Sequence, residues 1–514
     1  MKRRRFLTGA SVGIAVTLAG CAGDDEGDDE GTPVLDDADD ADEKGTTGVD
    51  DADDSEDSLP DEEDDGFDSD EDWEPHAPSG AGVSGRIDPL GHTLGDERAF
   101  YSFADVSPDG TVGVIGAHAH EDQQVASTLV DLSELDSPAV VHHLDAANGA
   151  TRCNDVKVDP GRDGLYYRAQ EANDLGSSET QGERGIEVVD FGWGDGTPEE
   201  PEVIADVEIL PNGVHKLTTH PDEEVLYLVD LSTEDVGVIT VDVSEPDDPE
   251  IIDEVGPPGG CHDVEYDPVR EVIHAAYMLG ETEGYVIYDA SDPYQPEPIG
   301  EFLYDDQPNY DTLGEPGFEL CHQADYDPER DLAVVGDELR SGVPGGKHVF
   351  DIGWDEGSLT EPEPIGFTHS PDAREMGGDE SYWWTTHFHD VVPMDSETLL
   401  VDGGYRQGVW VCNITDPREP VPTERYATVE GAEELPREGA GWRFDPPFAW
   451  GAVYNEAREF VLASDSFTGV YTMRLSSETA RGERGRGPDG HYDIDAVLDR
   501  ADDSNGSGTG KHDH

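Results

Sequence analysis

Positive charge is scarce in this sequence. Its 514 residues include 30 lysines and arginines against 121 aspartates and glutamates, and six of those 30 bases are lysines. The formal net charge is −91 at pH 7. A chain of this charge repels polyanions, which argues against nucleic acid and anionic lipid headgroups as partners.

Cysteine and long apolar runs are scarce as well. Five cysteines in 514 residues exclude a disulfide-dense scaffold. The N-terminal apolar run extends from Ala10 to Ala19. That is about half of the ~20 residues that a membrane-spanning helix needs. A transmembrane anchor is therefore the weaker of two interpretations of this segment.

The stronger interpretation is an export signal. Basic residues precede the apolar run, and the string Arg3-Arg4-Arg5-Phe6-Leu7 resembles a twin-arginine signal, whose cargo crosses the membrane folded. The run ends in Leu18-Ala19-Gly20-Cys21, which resembles a lipobox. We therefore predict a signal peptide over residues 1–20 and a lipid on Cys21. The lipid would hold the protein at the outer face of the cytoplasmic membrane.

An acidic segment follows the lipobox. Between Asp24 and Glu74 there are 28 acidic residues and one base, Lys44. Such a segment cannot bury enough apolar surface to offset its ordering entropy. We predict a disordered tether over residues 21–80 and a disordered tail over residues 477–514. The predicted folded part is acidic too, as in proteins of salt-loving organisms, where molar salt screens charges over about 3 Å.

A repeat runs through residues 85–476. Each unit has an apolar strand, an Asp-Pro turn, a second strand, a Gly-led third strand and a fourth strand such as Glu297–Phe302. The first strand and its turn recur almost unchanged in Asn154–Pro160, His262–Pro268 and His322–Pro328. Short β-branched runs bounded by Gly, Asp and Pro are strands and turns, and four strands per unit is typical of a propeller blade. The sequence therefore predicts an all-β propeller.

Seven units can be counted from their opening positions, which are Ser102, Asn154, His215, His262, His322, His389 and Trp450. The last unit lacks a fourth strand, whereas Arg86–Leu94 has the pattern of a strand without a unit. If the two pair, they complete the seventh blade and leave no open edge. We therefore predict a seven-bladed β-propeller whose ring is closed by an N-terminal strand.

The third strand carries the pattern Gly-x-x-x-Val-Asp-x-Ser-x-Pro. It is clearest in Gly237–Pro246, Gly284–Pro293 and Gly408–Pro417. The pattern resembles the LVIVD-repeat family, extracellular propellers related to the choice-of-anchor B proteins, and with the features above it resembles a haloarchaeal lipoprotein. The resemblance covers roughly residues 100–475. It implies a surface-located propeller in binding or scaffolding, and supplies no catalytic residues.

Histidines occupy four consecutive opening positions. Equivalent positions on the innermost strands of a propeller surround the channel mouth, where converging imidazoles suit zinc or copper. We therefore predict a candidate transition-metal site at His215, His262, His322 and His389. Further candidates for a ligand-binding face are Asn154, Asp155, Asp263, Asp390, His387 and Trp450.

The alternative role for these residues is structural. Buried His and Asp side chains can hydrogen-bond the inner strands of neighbouring blades. Cysteines stand immediately before three opening positions, which favours a shared buried slot over a Cys261–Cys321 disulfide or thiolate ligation. These three are Cys153, Cys261 and Cys321, and Cys412 is predicted to lie in the core.

Two further groups are less specific. The cluster His118, His120, Glu121 and Asp122 is interpreted as a solvated loop rather than a metal site. Aromatic residues near inserted loops could line a saccharide or peptide site, with core packing as the alternative. They are Trp383, Trp384, Trp442 and Trp450.

No nucleophile elbow, P-loop or dinucleotide-binding fingerprint occurs in the sequence. We therefore predict a monomeric, non-catalytic binding or scaffold module for an unidentified protein or small ligand. The alternative is a surface enzyme, an oxidoreductase, that depends on a histidine-bound metal. No cofactor other than that copper or zinc ion is assigned.

Overall fold

The computed structural model describes residues 86–94, 99–119, 124–172, 182–209, 211–231, 237–305, 307–371, 373, 383–432 and 446–476. Every helix or strand assigned in these ranges is a β-strand, which confirms the all-β prediction. No helix there is long and apolar enough to cross a membrane. The predicted signal peptide, Cys21, acidic linker and tail lie outside the described residues.

The described strands occur as one N-terminal strand followed by consecutive groups, which we number 1 to 7. The N-terminal strand is β1 (Ile87–Thr93). Group 1 contains β2 (Phe100–Val106), β3 (Val112–His118), β4 (Val125–Asp131) and β5 (Ala139–Asp145). Between groups lies the two-residue strand β6 (Thr151–Arg152). Group 2 contains β7 (Val156–Val158), β8 (Leu165–Ala172), β9 (Gly185–Asp190) and β10 (Glu202–Glu208).

The next three groups have four strands each. Group 3 contains β11 (Lys216–Thr219), β12 (Val225–Val229), β13 (Val238–Asp242) and β14 (Glu250–Val255). Group 4 contains β15 (Gly260–Asp267), β16 (Val272–Leu279), β17 (Gly284–Asp289) and β18 (Glu297–Leu303). Group 5 contains β19 (Cys321–Tyr326), β20 (Leu332–Asp337), β21 (Lys347–Asp351) and β22 (Glu363–Thr368).

The last two groups differ in strand number. Group 6 contains β23 (Thr385–Met394), β24 (Glu397–Tyr405), β25 (Gly408–Asn413) and β26 (Val421–Tyr426). Group 7 contains β27 (Ala449–Asn455), β28 (Phe460–Asp465) and β29 (Gly469–Leu475). Successive strands within each group pair antiparallel, as expected of strands joined by short turns.

The fourth strand of group 7 comes from the other end of the chain. β1 pairs antiparallel with β29, in register from Ile87 opposite Leu475 to Thr93 opposite Val470. The predicted pairing of the N-terminal strand with the last strand is therefore confirmed. Gly91 in β1 lies against group 1, because a Cβ there would be 2.5 Å from Cδ of Pro138 and 2.6 Å from the carbonyl of Leu135.

The apolar core lies between groups rather than inside one. One cluster joins Leu165 and Val188 of group 2 to Leu226 and Ile239 of group 3. Other clusters combine groups 3 with 4, 4 with 5, 5 with 6, and 1 with 2 in the same way. Groups 6 and 7 share a cluster, and so do groups 7 and 1. Each sheet thus buries both faces against its neighbours.

An arginine in the turn after the first strand connects four of the groups to the next. In group 5, Asp327 Oδ1 accepts the backbone N–H groups of Glu329 (2.9 Å) and Arg330 (3.0 Å). Nε of Arg330 donates to Asp327 Oδ2 (2.7 Å), and its guanidinium donates to the carbonyl of Ile414 in group 6 (3.1 Å). Arg162, Arg270 and Arg458 make equivalent contacts from groups 2, 4 and 7 to groups 3, 5 and 1.

The first strands of the groups lie side by side in chain order. β2, β7, β11, β15, β19, β23 and β27 each contact the next, and β27 contacts β2. The ladder contact between β23 and β27 is parallel, with Phe388 opposite Gly451. Residues at one repeat position therefore lie at one level around a shared axis.

Candidate metal centre

A β-bulge near the start of several first strands turns one side chain out of the ladder. The register of β15 shifts between Cys261 and Asp263, which frees His262, and that of β19 shifts between Cys321 and Gln323, which frees His322. Bulges commonly re-aim a side chain beside a functional site. The opening position of the repeat therefore lies in a β-bulge in these strands.

In group 6 this position belongs to His387 and not to His389. The irregularity of β23 spans Thr385 to Phe388, so two residues leave the ladder instead of one. His389 pairs in the regular ladder opposite Asp402. Its Nδ1 accepts a hydrogen bond from Nζ of Lys347 (2.8 Å). The prediction that aligned His389 with the other histidines is corrected accordingly.

Four imidazoles form one continuous row, which we call the imidazole row: His215, His262, His322 and His387. Ring centroids are 4.2 Å apart from His215 to His262, 3.9 Å from His262 to His322 and 4.4 Å from His322 to His387. All four side chains are buried. The structure thus brings together three predicted ligands and one residue that was predicted only for the ligand-binding face.

Hydrogen bonds fix the tautomers of two rings in the row, His262 and His387. A carbonyl oxygen can only accept, so Nδ1–H of His262 donates to the carbonyl of His322 (2.8 Å) and Nδ1–H of His387 donates to the carbonyl of Trp450. Nδ1 of His215 contacts Oε1 of Glu171 at 2.5 Å. Metal-binding histidines characteristically donate their second ring N–H to a carbonyl or carboxylate in this way. In this tautomer Nε2 of His387 carries the lone pair that a metal ion needs.

Two rings of the row are joined directly. Nε2 of His215 and Nε2 of His262 are 2.8 Å apart, a hydrogen-bond distance. Because Nδ1–H of His262 donates to a carbonyl, Nε2 of the neutral His262 ring is the acceptor and Nε2–H of His215 is the donor.

A carboxylate completes the other end of the row. His322 is 1% exposed, and neither of its ring nitrogens has a hydrogen-bond partner within the described residues. Its Nε2 lies 3.8 Å from Oε2 of Glu338. One ligand atom each of His322, Glu338 and His387 can be chosen so that all three lie within 4.8 Å of one another. Two imidazoles with one carboxylate form a common zinc ligand set.

Burial sets the charge of the row. It lowers the pKa of His262, His322 and His387 well below the usual value, so these rings are neutral at pH 7, the form that binds metals. Burial also raises the pKa of Glu338 to about 7, against the opposing effect of Arg340. At Glu171 burial acts in the same direction, but Arg152 and His215 together lower its pKa to about 2.

The second strand of group 6 holds His387 in place. Asp402, fully buried in β24, accepts the backbone N–H of His387 at 3.2 Å and forms an ion pair with Nζ of Lys347 at 3.1 Å. Lys347 Nζ also donates to the carbonyl of His387 (2.6 Å). Hydrogen bonds therefore hold both the backbone N–H and the carbonyl of His387 in the bulge of β23.

Residues at two other opening positions, Asn154 and Trp450, flank the imidazole row. Asn154 Oδ1 contacts Nε2 of His118 at 2.6 Å, while its Nδ2 contacts Nδ1 of His215 at 2.9 Å. Trp450 packs edge-on against His387, with centroids 5.0 Å apart. Ser102 instead donates to the carbonyl of Cys153 (2.6 Å) and supports the backbone. His120, Glu121 and Asp122 lie outside the described residues.

The three predicted aspartates have the structural role. Each accepts a backbone N–H from the next group: Asp155 from Leu217 (2.9 Å), Asp263 from Ala324 (3.2 Å) and Asp390 from Tyr454 (2.8 Å). They join adjacent first strands and do not reach the imidazole row. These bonds are the structural alternative, and Asp263 and Asp390 in addition line a cavity of about 310 Å³.

The cysteines are buried and unpaired. Cys153, Cys261, Cys321 and Cys412 are free thiols, so the Cys261–Cys321 disulfide is not formed and the buried slot is confirmed. Burial raises the pKa of the Cys153 and Cys412 thiols to about 12, which disfavours thiolates. Trp383 and Trp384 are also buried, beneath the guanidinium groups of Arg340 and Arg425, and Trp442 lies outside the described residues.

Comparison with known proteins addresses the fold. No protein-family model matches the chain, and no curated protein does. A solved structure titled "Crystal structure of RRP9 WD40 repeats" matches 76% of this chain and all of its own, with a TM-score of 0.50 and 10% sequence identity. At this identity the likeness concerns the fold alone, which is a β-propeller.

Proposed function

We propose that this chain is an exported, lipid-anchored propeller of the LVIVD-repeat type that binds a transition-metal ion at one end of its channel. WD40-like propellers commonly act as binding or scaffold modules, and the proposal names a ligand for such a module. The observation that carries it is the imidazole row, at whose end one ligand atom each of His322, Glu338 and His387 lies within 4.8 Å of the others.

The proposal includes a seven-bladed ring closed by β1. It is supported by the pairing of β1 with β29, by the apolar cluster shared by groups 7 and 1, and by the contact of β27 with β2. A closed ring brings the first strands of groups 3 to 6 around one axis. That geometry is what a site assembled from four separate repeats requires.

Zinc and copper are the ions that suit these ligands. Imidazole nitrogens with one carboxylate match both metals, whereas hard cations such as magnesium and calcium prefer oxygen ligands. Neutral, desolvated imidazoles bind without first losing a proton. Asn154 and Glu171 lie behind His215 and fix its ring, as residues behind a metal ligand commonly do.

Elemental analysis tests the metal site. The full chain is loaded with Zn²⁺ or Cu²⁺, passed over a chelating resin and analysed by inductively coupled plasma mass spectrometry. We expect one retained equivalent in the wild type and in His389→Ala, and less than one tenth of it in His387→Ala and His322→Ala. No retained metal in the wild type, or equal retention in His387→Ala, would contradict the proposal.

A redox or hydrolytic use of the same site is the second candidate function. Glu338, whose pKa burial raises to about 7, lies beside His322 and could exchange a proton at neutral pH. Only copper would also support electron transfer, since zinc has no redox chemistry. Reduction of a bound Cu²⁺ by ascorbate, followed by electron paramagnetic resonance, tests this candidate. A copper signal that persists unchanged would exclude the oxidoreductase alternative.

The location is proposed from the sequence alone. Cys21 follows Leu18-Ala19-Gly20, and the acidic segment between Asp24 and Glu74 separates it from the propeller. Expression in a prokaryotic host with a twin-arginine pathway tests the anchor by fractionation. We expect the wild type in the membrane fraction and Cys21→Ser in the soluble exported fraction. A soluble wild-type protein would contradict lipid anchoring.

A further inference from the structure

A second chamber occupies the opposite end of the channel from the imidazole row. It is a cavity of about 310 Å³ lined by first-strand residues of groups 1 to 7. These residues follow the bulge positions along each strand, and Pro108, Pro160 and Pro328 of the turns after β2, β7 and β19 border it. We call this space the lower cavity.

Three side chains separate the lower cavity from the imidazole row. Phe103 and Phe388 pack edge to face, with centroids 5.3 Å apart. Nζ of Lys216 lies 3.6 Å from the centroid of Phe103 and 4.2 Å from that of Phe388. On its other side Phe388 contacts His322, with centroids 4.9 Å apart. The two chambers are therefore distinct sites.

The walls of the lower cavity differ in chemistry. Glu265, Asp325 and Asp390 follow one another on the first strands of groups 4, 5 and 6 and form an acidic wall. The facing wall, from groups 1, 2 and 7, is mostly apolar. Its aliphatic members include Val106, Val158, Ala452 and Val453, and its charged members are Asp105 and Lys157.

The charges of the lower cavity are not balanced from within. Five carboxylates line it, those of Asp105, Asp263, Glu265, Asp325 and Asp390, against the ammonium groups of Lys157 and Lys216. Lys157 pairs with Glu265 at 3.3 Å, and Lys216 pairs with Asp155 outside the cavity lining at 3.1 Å and with Asp263 at 4.0 Å. In the described part of the chain neither Asp325 nor Asp390 has an ion-pair partner.

Asp325 is the clearest case of an unmet carboxylate. It is 8% exposed and lines the cavity. Oδ1 accepts the N–H of the adjacent Tyr326 (2.7 Å), and no donor to Oδ2 occurs among the described residues. Burial, then the charges of Asp390 and Glu265, raise the pKa of Asp325 well above its usual value. A cation bound beside it would relieve both the burial penalty and the repulsion.

The geometry favours an organic cation over a metal ion. Within the described residues, the group of three or more ligands that converges within 4.8 Å is His322, Glu338 and His387, and it includes none of these carboxylates. An ammonium group, with three donors, can bridge oxygens that are too far apart to share one ion. The volume lies at the lower limit of ligand pockets, about 300 Å³, so the ligand is small.

We infer that the lower cavity binds a small alkylammonium compound, with its nitrogen against Asp325, Asp390 and Glu265 and its alkyl chain against the valines of the facing wall. Lys216 shows that the channel already accepts this chemistry, since its ammonium lies between two aromatic rings and near two carboxylates. The inference does not depend on the metal proposal, because its residues are separate from the imidazole row.

Isothermal titration calorimetry on the full chain tests the inference, with n-butylammonium as the probe. Two matched compounds serve as controls: n-butanol lacks the charge, and tetramethylammonium lacks the N–H donors. We expect saturable binding of one equivalent of n-butylammonium and at least tenfold weaker binding of both controls. Equal binding of either control, or no binding of n-butylammonium, would overturn the inference.

Two variants locate the site. Asp325→Asn removes a buried repulsive charge, so it should fold, and it should bind n-butylammonium about tenfold or more weakly. Asp247→Asn changes an exposed aspartate outside the channel and should bind like the wild type. Unchanged affinity in Asp325→Asn would overturn the inference. His387→Ala should retain amine binding while losing metal, and loss of amine binding in a folded His387→Ala would also count against two separate sites.

Discussion

The arginine of the Asp-Pro turn should contribute far more to stability than an exposed arginine in the same fold. Arg330 forms an ion pair with the fully buried Asp327 at 2.7 Å and donates to the carbonyls of Ile414 (3.1 Å) and Thr415 (3.0 Å) in group 6. Replacing it by alanine leaves a buried carboxylate without its cation and two carbonyls without donors. We expect Arg330→Ala to lower the free energy of unfolding by about 2–3 kcal/mol.

Arg418 provides the matched control. It also forms an arginine–aspartate pair, with Asp355 at 2.6 Å, but those side chains are 44% and 55% exposed. Water and salt screen such a pair, and its stacking on Trp354 adds little, so Arg418→Ala should cost about 1 kcal/mol or less. Urea unfolding at constant salt, followed by tryptophan fluorescence, measures both variants. Equal losses would refute the assignment of Arg330 as a connection between groups.

Three further comparisons of variants have defined outcomes. Asp325→Asn should raise the thermal midpoint above that of the wild type at pH 8 and not at pH 3. The pKa of Asp325 is raised in the folded protein, so the wild type loses stability as pH rises through that pKa, and the asparagine variant does not. Gly91→Ala should destabilise by about 1–3 kcal/mol through its contact with Pro138, whereas Gly192→Ala, with no atom closer than 3.6 Å, should be nearly neutral in calorimetry. Lys347→Met should cost about 3–5 kcal/mol in urea unfolding, and adding Asp402→Asn should restore part of it.

Repeat positions could be read from the sequence because their spacing is regular. The matching segments around Asn154, His262 and His322 place these residues at one level of neighbouring first strands, and the structure brings His262 and His322 into contact. The role of β1 was also predictable, since group 7 lacked one strand. The β-propeller fold and the buried free cysteines agree with the sequence prediction.

Departures from the repeat were not predictable. The bulge of β23 contains two residues instead of one. Nothing in the sequence around Phe388 shows that His387, and not His389, is the histidine that leaves the ladder. Glu171 and Glu338 come from the ends of second strands, where the repeat has no conserved spacing to follow. The spacing of arginine three residues after the turn aspartate was visible, but its contact with the next group depends on tertiary packing.

The pairing of β1 with β29 has a consequence for biosynthesis. Ile87 lies opposite Leu475. During synthesis β1 is therefore made first among the strands, and it can pair only after β29, the last strand, has been made. Such a long-range contact is slow to form, and until it forms β29 presents an open edge that other chains could join. Mutations that weaken this strand pair should therefore reduce the yield of folded protein more than they reduce the stability of the finished molecule.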